Sequence, residues 1–190
     1  MKIVELHGFN VKDKGVGSIG RLRKPLLKAF PDAQYDADNA DYGRDLLLRA
    51  NYLYWIGDTI DRITNTLKDA DLVICHSNGA NYCMKALRKY CNKDIKIVFM
   101  SPALNRSHAF NESFKECLVM HSEDDRVVSL AKYIPFSSWG DMGKVGAYTD
   151  DYRVKNMSHK GIIKHHSDWF IDKHIASVAN TIVAFYKGEL

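Results

Sequence analysis

Asp71-Leu72-Val73-Ile74-Cys75-His76-Ser77-Asn78-Gly79-Ala80 is the stretch that decides the fold. Four apolar residues in a row, with no polar alternation, read as a strand buried on both faces. The residues after Gly79 switch to helical spacing, with Ala80, Cys83, Met84, Leu87 and Cys91 forming one stripe. A buried strand running directly into a helix is the unit of a parallel sheet covered on both sides. Ser77 falls on the turn between them. Such a tight turn imposes strained backbone angles and lifts the serine hydroxyl above the sheet, and it needs small neighbours, which Gly79 and Ala80 supply.

Working outward, the same alternation repeats. Ile3–Leu6 reads as a first strand, a short extended piece lies near Ala33–Tyr35, and Ile95–Met100, Cys117–His121 and Tyr152–Lys155 supply further strands. Between them, Ile19, Leu22, Leu26 and Phe30 recur at helical spacing, with Pro25 arguing for a broken or late-starting helix. Leu53, Ile56, Ile60, Ile63 and Leu67 mark a long helix capped at Asp45, and Ile171, Ile175, Val178, Ile182 and Phe185 mark a C-terminal one. Residues 101–116 and 136–148 read as loops. The expected architecture is a mostly parallel α/β sheet with helices on both faces, one domain over residues 1–190, with the strands ending at Leu6, Ile74, Met100 and Met120 as parallel neighbours and Ser77 at their C-terminal edge.

Composition agrees with a globular chain of this kind. The 190 residues are 46% hydrophobic and 26% charged, and 27 Lys and Arg against 23 Asp and Glu leave a formal net charge of +4. That excludes collagen-like and disordered classes. The four cysteines form no CxxC pair and are too few for a disulfide scaffold of this size, so a reducing, cytoplasmic setting is expected. No signal peptide or membrane-length apolar run is visible. Arg21-Leu22-Arg23-Lys24 reads as a solvated helix face, and no nucleic-acid partner is expected. Asp36, Asp38 and Asp41 lack the glycine and distal glutamate of a calcium loop, so no metal is expected.

A nucleophilic serine needs a base to take its proton and a carboxylate to orient that base. Asp125 follows one expected strand in Asp125-Arg126-Val127-Val128, and His159 follows the last in Met157-Ser158-His159-Lys160-Gly161. The assignment to His159 rests on its place at a strand end, with His165, His166 and His174 as rivals nearby, and Asp124 as the rival to Asp125. Cys75 is a poor thiol nucleophile because it sits inside the buried strand. The dipole of the new helix and the Asn78 amide point at the place where an oxyanion would form. His7-Gly8-Phe9 closes the first strand and offers the Phe9 amide as a second donor.

With these residues in view, the chain resembles the α/β-hydrolase superfamily, in particular its small serine hydrolases whose elbow reads x-His-Ser-x-Gly. The resemblance spans His7-Gly8 through Ser77 to Asp125 and His159. Cys75 stands where the usual elbow has its first glycine, and Ser122 where a glycine often precedes the acid. The resemblance implies a compact hydrolase fold with little or no cap. It also implies hydrolysis of a small-molecule ester or thioester through an acyl-enzyme on Ser77, and no cofactor. An amidase or peptidase using the same groups, and a catalytically silent fold serving as a binding module, are the alternatives.

Overall fold

The computed structural model describes residues 1–9, 11, 13–37, 52–131 and 139–190; for residues 37, 52–58 and 131 it describes the backbone only. Six strands, β1 (Lys2–Leu6), β2 (Gln34–Ala37), β3 (Leu72–His76), β4 (Lys96–Met100), β5 (Glu116–His121) and β6 (Val154–Ser158), form one sheet in the order β2-β1-β3-β4-β5-β6. Every pairing is parallel. From β1 the chain goes out to β2 and then returns past β1 to β3, so the connections diverge between β1 and β3. In an open parallel sheet such a switch point leaves a crevice beyond the C-terminal strand ends. His7-Gly8-Phe9 and Ser77 are the residues that emerge there.

Alternation along each strand sorts the core into two layers. Val4, Leu6, Val73, Cys75, Ile97, Phe99, Cys117 and Val119 face the layer formed by α2 (Tyr52–Leu67) and α3 (Gly79–Lys89). Ile3, Leu72, Ile74, Val98, Met100, Leu118 and Met120 face the layer containing α1 (Arg23–Ala29) and the C-terminal helix (Asp172–Lys187). Two short helices follow β5: α4 (Arg126–Ala131) and α5 (Met142–Val145), which makes the C-terminal helix α6. Each wholly buried Leu, Ile or Phe adds about 1.5–3 kcal/mol by leaving water, and both layers are dense in them. This is why the central strands read as continuous apolar runs.

Individual elements follow their sequence. A 3₁₀ turn (Ile19–Leu22) precedes α1, and Pro25 falls in the first turn of α1, where a missing N–H costs nothing. Ile60, Ile63 and Leu67 of α2 are buried as their spacing requires; the expected cap Asp45 and the side chains of Leu53 and Ile56 lie outside the described residues, as do Asp38 and Asp41. α6 ends at Gly188, whose φ of 77° closes the helix with N–H bonds back to Ala184 and Phe185. Lys96, buried in β4, reaches the Phe185 and Tyr186 carbonyls at that end and pairs with Glu116 at 2.6 Å, so its charge is fully compensated.

Two boundaries depart from the sequence expectation. The last strand runs Val154–Ser158 rather than Tyr152–Lys155, because Asp151 turns the chain: its carboxylate accepts the Arg153 N–H and its carbonyl the Val154 N–H. The Arg153 guanidinium, stacked on Phe114 and bonded to the Phe110 carbonyl, locks that turn, and Tyr152 is left on the surface. The expected loop 136–148 contains α5, which is laced to the residues after β4 by N–H bonds from Gly140, Met142 and Gly143 to Ala103, Leu104 and Pro102. The expected start of that loop, at Phe136, lies outside the described residues.

All four cysteines are free thiols, Cys91 exposed and the others buried. Burial, together with neighbouring thiols, pushes Cys75 well up, as befits a core residue. Arg21 donates to the Phe170 carbonyl and pairs with Asp172 at the start of α6, and Arg23 lies over the Tyr35 ring, so this basic stretch has structural partners. No helix among the described residues is long and apolar enough to cross a membrane.

Candidate active site

Ser77 has φ of 54°, in the left-handed region that an L-residue enters only when its surroundings compel it, at a cost of order 1–3 kcal/mol. Three contacts compel it here. Its N–H is held by the Met100 carbonyl at 3.1 Å, its own carbonyl accepts the Ala103 N–H at 3.1 Å, and α3 begins immediately after it. α3 can start there only because residue 79 is glycine: a Cβ on Gly79 would lie 2.3 Å from the Leu6 carbonyl oxygen of β1. Gly8 approaches the serine from the other side, since a Cβ on it would sit 3.0 Å from Ser77 Cβ. Phe9 and Asn78 therefore flank Ser77, and among the described residues neither backbone N–H is spent on another backbone carbonyl.

Asp125 is wholly buried at the turn after β5. Its Oδ1 accepts the N–H groups of Val127 and Val128 at 3.0 and 3.4 Å, and its Oδ2 accepts from the His166 Nδ1 at 2.7 Å. Burial alone would raise this carboxyl, but the His166 bond and charge, the nearby Ser101 hydroxyl and the backbone donors together hold it below its ordinary range. With Nδ1–H given to an ionised carboxylate, the neutral imidazole carries its lone pair on Nε2.

The histidine on Asp125 is thus His166 and not His159. His159 continues the β5–β6 ladder through its N–H to the His121 carbonyl, and its ring turns onto Trp169 with centroids 4.9 Å apart. Its Nδ1 lies 3.3 Å from the Met157 carbonyl, and burial lowers its pKa. Beyond it the chain doubles back: Ile163 N–H bonds to the His159 carbonyl, and the Ser122 hydroxyl donates to the Ile163 carbonyl at 2.5 Å. That return delivers His166 to Asp125. Of the rivals, Asp124 accepts the Gly161 N–H and ties down the same loop, His165 is exposed, and His174 is buried in α6.

Three further residues belong to this constellation: His76, which the elbow motif contains, and Ser101 and Trp139, which the sequence reading did not single out. His76, beside the serine, directs its Nε2 at the His166 carbonyl at 3.0 Å, so that nitrogen carries the proton; its Nδ1 is buried without a hydrogen-bond partner among the described residues. Burial, then repulsion from His166, pushes its pKa down to about 3, and it stays neutral. Ser101, wholly buried with φ of 45°, accepts the Trp169 indole N–H at 2.9 Å beside Asp125. Trp139 donates its indole N–H to Asn78 Oδ1 at 2.6 Å while its ring meets Phe9 edge-on at 5.3 Å, so one aromatic side chain braces both residues that flank Ser77. A polar residue just past a strand, as Ser101 is past β4, was the one available signal.

No protein-family model and no curated protein sequence matches the chain. Solved structures do match over nearly its whole length. Esterase PE8 aligns with a TM-score of 0.55 at 16% identity, covering 100% of this chain and 92% of that one. Est1E from Butyrivibrio proteoclasticus aligns at 0.57 and 13% identity, covering 99% and 87%. A protein assigned to the α/β-hydrolase superfamily from Xanthomonas campestris pv. campestris aligns at 0.56 and 10% identity, covering 98% of each chain. The all-parallel sheet with helices on both faces is thus the α/β-hydrolase fold, as the sequence led us to expect.

Proposed function

We propose that the chain is a serine hydrolase that cleaves a carboxylic ester or thioester through an acyl-enzyme on Ser77. The observation that carries this reading is the convergence, at one sheet edge, of a serine held at φ 54° and a buried Asp125–His166 pair. His166 Nε2 takes the Ser77 hydroxyl proton as Oγ attacks the acyl carbon, and the resulting oxyanion is held by the Phe9 and Asn78 N–H groups. Asp125 stabilises the imidazolium so formed. His166 then returns the proton to the departing alcohol or thiol, the acyl group stays on Ser77, and a water deprotonated by the same imidazole releases the acid and regenerates the serine.

Each part has a physical motive. Backbone amides flanking Ser77 cost no reorganisation when charge develops beside them. His76 donates to the carbonyl of His166 from the residue next to Ser77, so serine and imidazole are positioned by one contact.

A fluorophosphonate probe tests the proposal without a known substrate, since only an activated serine reacts with it. The adduct should map to Ser77, and Ser77→Ala should abolish labelling while the protein remains folded. A probe that still labels the Ser77→Ala protein would refute the assignment.

A further inference from the structure

Beside the Asp125–His166 pair opens a cleft of about 540 Å³, within the usual range for small-molecule sites. Arg126 and Val127 come to it from the start of α4, Lys164 and His165 from the returning loop, and His166 forms part of its wall. Its charges are unequal. Asp124, the acid on its rim, is engaged by the Gly161 N–H at 2.9 Å. Arg126 and Lys164, by contrast, form no ion pair among the described residues, whereas Lys160 on the same loop is paired with Glu123. The cleft therefore presents two cations against one carboxylate next to the imidazole, an excess of positive charge.

The chemistry assigns a direction to this cleft. In acyl transfer the leaving oxygen or sulfur receives its proton from the imidazole, so the leaving group departs on the imidazole's side and the acyl group lies toward the oxyanion donors. That other side is braced by Phe9 and Trp139, aromatic and uncharged. Resting on the serine-hydrolase reading above, we infer that the cleft receives the leaving group, and that the leaving group is an alcohol or thiol bearing a carboxylate, sulfonate or phosphate. Ser77–acyl bond formation and loss of the proton to that alcohol or thiol proceed as before; the two cations act only on binding and on the approach of the anionic substrate.

The test compares the acetate esters of 4-hydroxybenzenesulfonate and 4-hydroxybenzenesulfonamide, whose leaving phenols are alike in size and acidity and differ in charge. The wild-type protein should prefer the sulfonate ester about tenfold in kcat/KM at low salt, chiefly through KM. The preference should shrink toward one at about 0.5 M salt, where exposed charges are screened. In the Arg126→Gln, Lys164→Gln double variant the ratio of the two esters should fall to about one. Equal cleavage of both esters by the wild-type protein, or a preference that survives in the double variant, overturns the charge assignment while leaving the hydrolase reading standing. Cleavage of neither ester, with no fluorophosphonate adduct on Ser77, overturns the hydrolase reading and this inference with it.

Discussion

Asp125 and Glu5 are both buried carboxyls on the same sheet, at 0% and 3% exposure, and they settle in opposite charge states. Asp125 stays below its ordinary range because His166, Ser101 and backbone amides outweigh its burial. Among the described residues Glu5, in β1, meets the Tyr35 hydroxyl and the more distant charge of Arg23, and burial pushes it up to about 8. The difference lies in location. Past the C-terminal end of β5 the chain turns and leaves backbone donors free to gather on a carboxylate, whereas the backbone within β1 is committed to ladders with β2 and β3. Beyond β5 the gathered donors hold a buried carboxylate charge, and within β1 Glu5 finds no such set of donors among the described residues.

The strongest way to break this comparison is to remove what the Asp125 charge serves. His166→Ala should lower the kcat/KM for an activated ester by about 10⁴-fold, while His159→Ala, whose ring packs on Trp169, should change it by less than about tenfold. The reverse ranking would return the base to the strand end. Asp125→Asn comes next, with a loss on the order of 10³-fold in turnover, since an amide no longer selects the Nδ1–H tautomer. It should also alter acid stability. A carboxyl depressed in the folded state adds stability above its unfolded pKa of about 3.9, lost as pH falls through the lower folded value. Denaturant midpoints of wild type should therefore fall more steeply than those of Asp125→Asn as pH drops below about 4.

Glu5 should show the opposite sign. A carboxyl raised from 4.5 to about 8 favours the folded state while protonated. Its contribution is full below the unfolded pKa, declines as pH rises above it, and is gone once pH has passed the folded value. Wild type should lose about 3 kcal/mol between pH 5 and pH 8, and Glu5→Gln should flatten that profile without altering ester turnover. A wild-type profile already flat over this interval would show Glu5 to be ionised. The smallest effect is expected at Ser101. Ser101→Ala should cost about 1–2 kcal/mol in thermal unfolding, by leaving the Trp169 indole N–H without its acceptor. It should also raise the acid limb of the kcat/KM profile, which simple loss of packing would not do.

Much of this molecule was legible from residue order. The apolar runs of β1, β3, β4 and β5, the helical spacing in α3 and α6, the break ahead of Pro25 that separates the 3₁₀ turn from α1, and the glycine after the elbow all announce themselves within a few residues. The turn at Asp151 was misread because an acceptor side chain, rather than a hydrophobic period, ends that loop. α5 escaped because the bonds that lace its segment to residues 102–104 come from a distant part of the chain. Trp139 was equally hidden, being placed by its bond to Asn78 across the site.

What the sequence by itself determined is a parallel sheet with the strands ending at Leu6, Ile74, Met100 and Met120 as neighbours, and the place of Ser77 and Asp125 at strand ends, because strand period, buried runs and turn sterics act over neighbouring residues. Only the tertiary structure decided that His166 meets Asp125, that His76 and Ser101 support the pair, and that Arg126 and Lys164 share a cleft with it. The reason is the path of the chain after His159. Ile163 folds back onto His159 and Ser122, and that reversal carries to Asp125 a histidine that no local period marks out. Proximity across a loop depends on how the loop closes, and closure is set by contacts with residues far away in sequence.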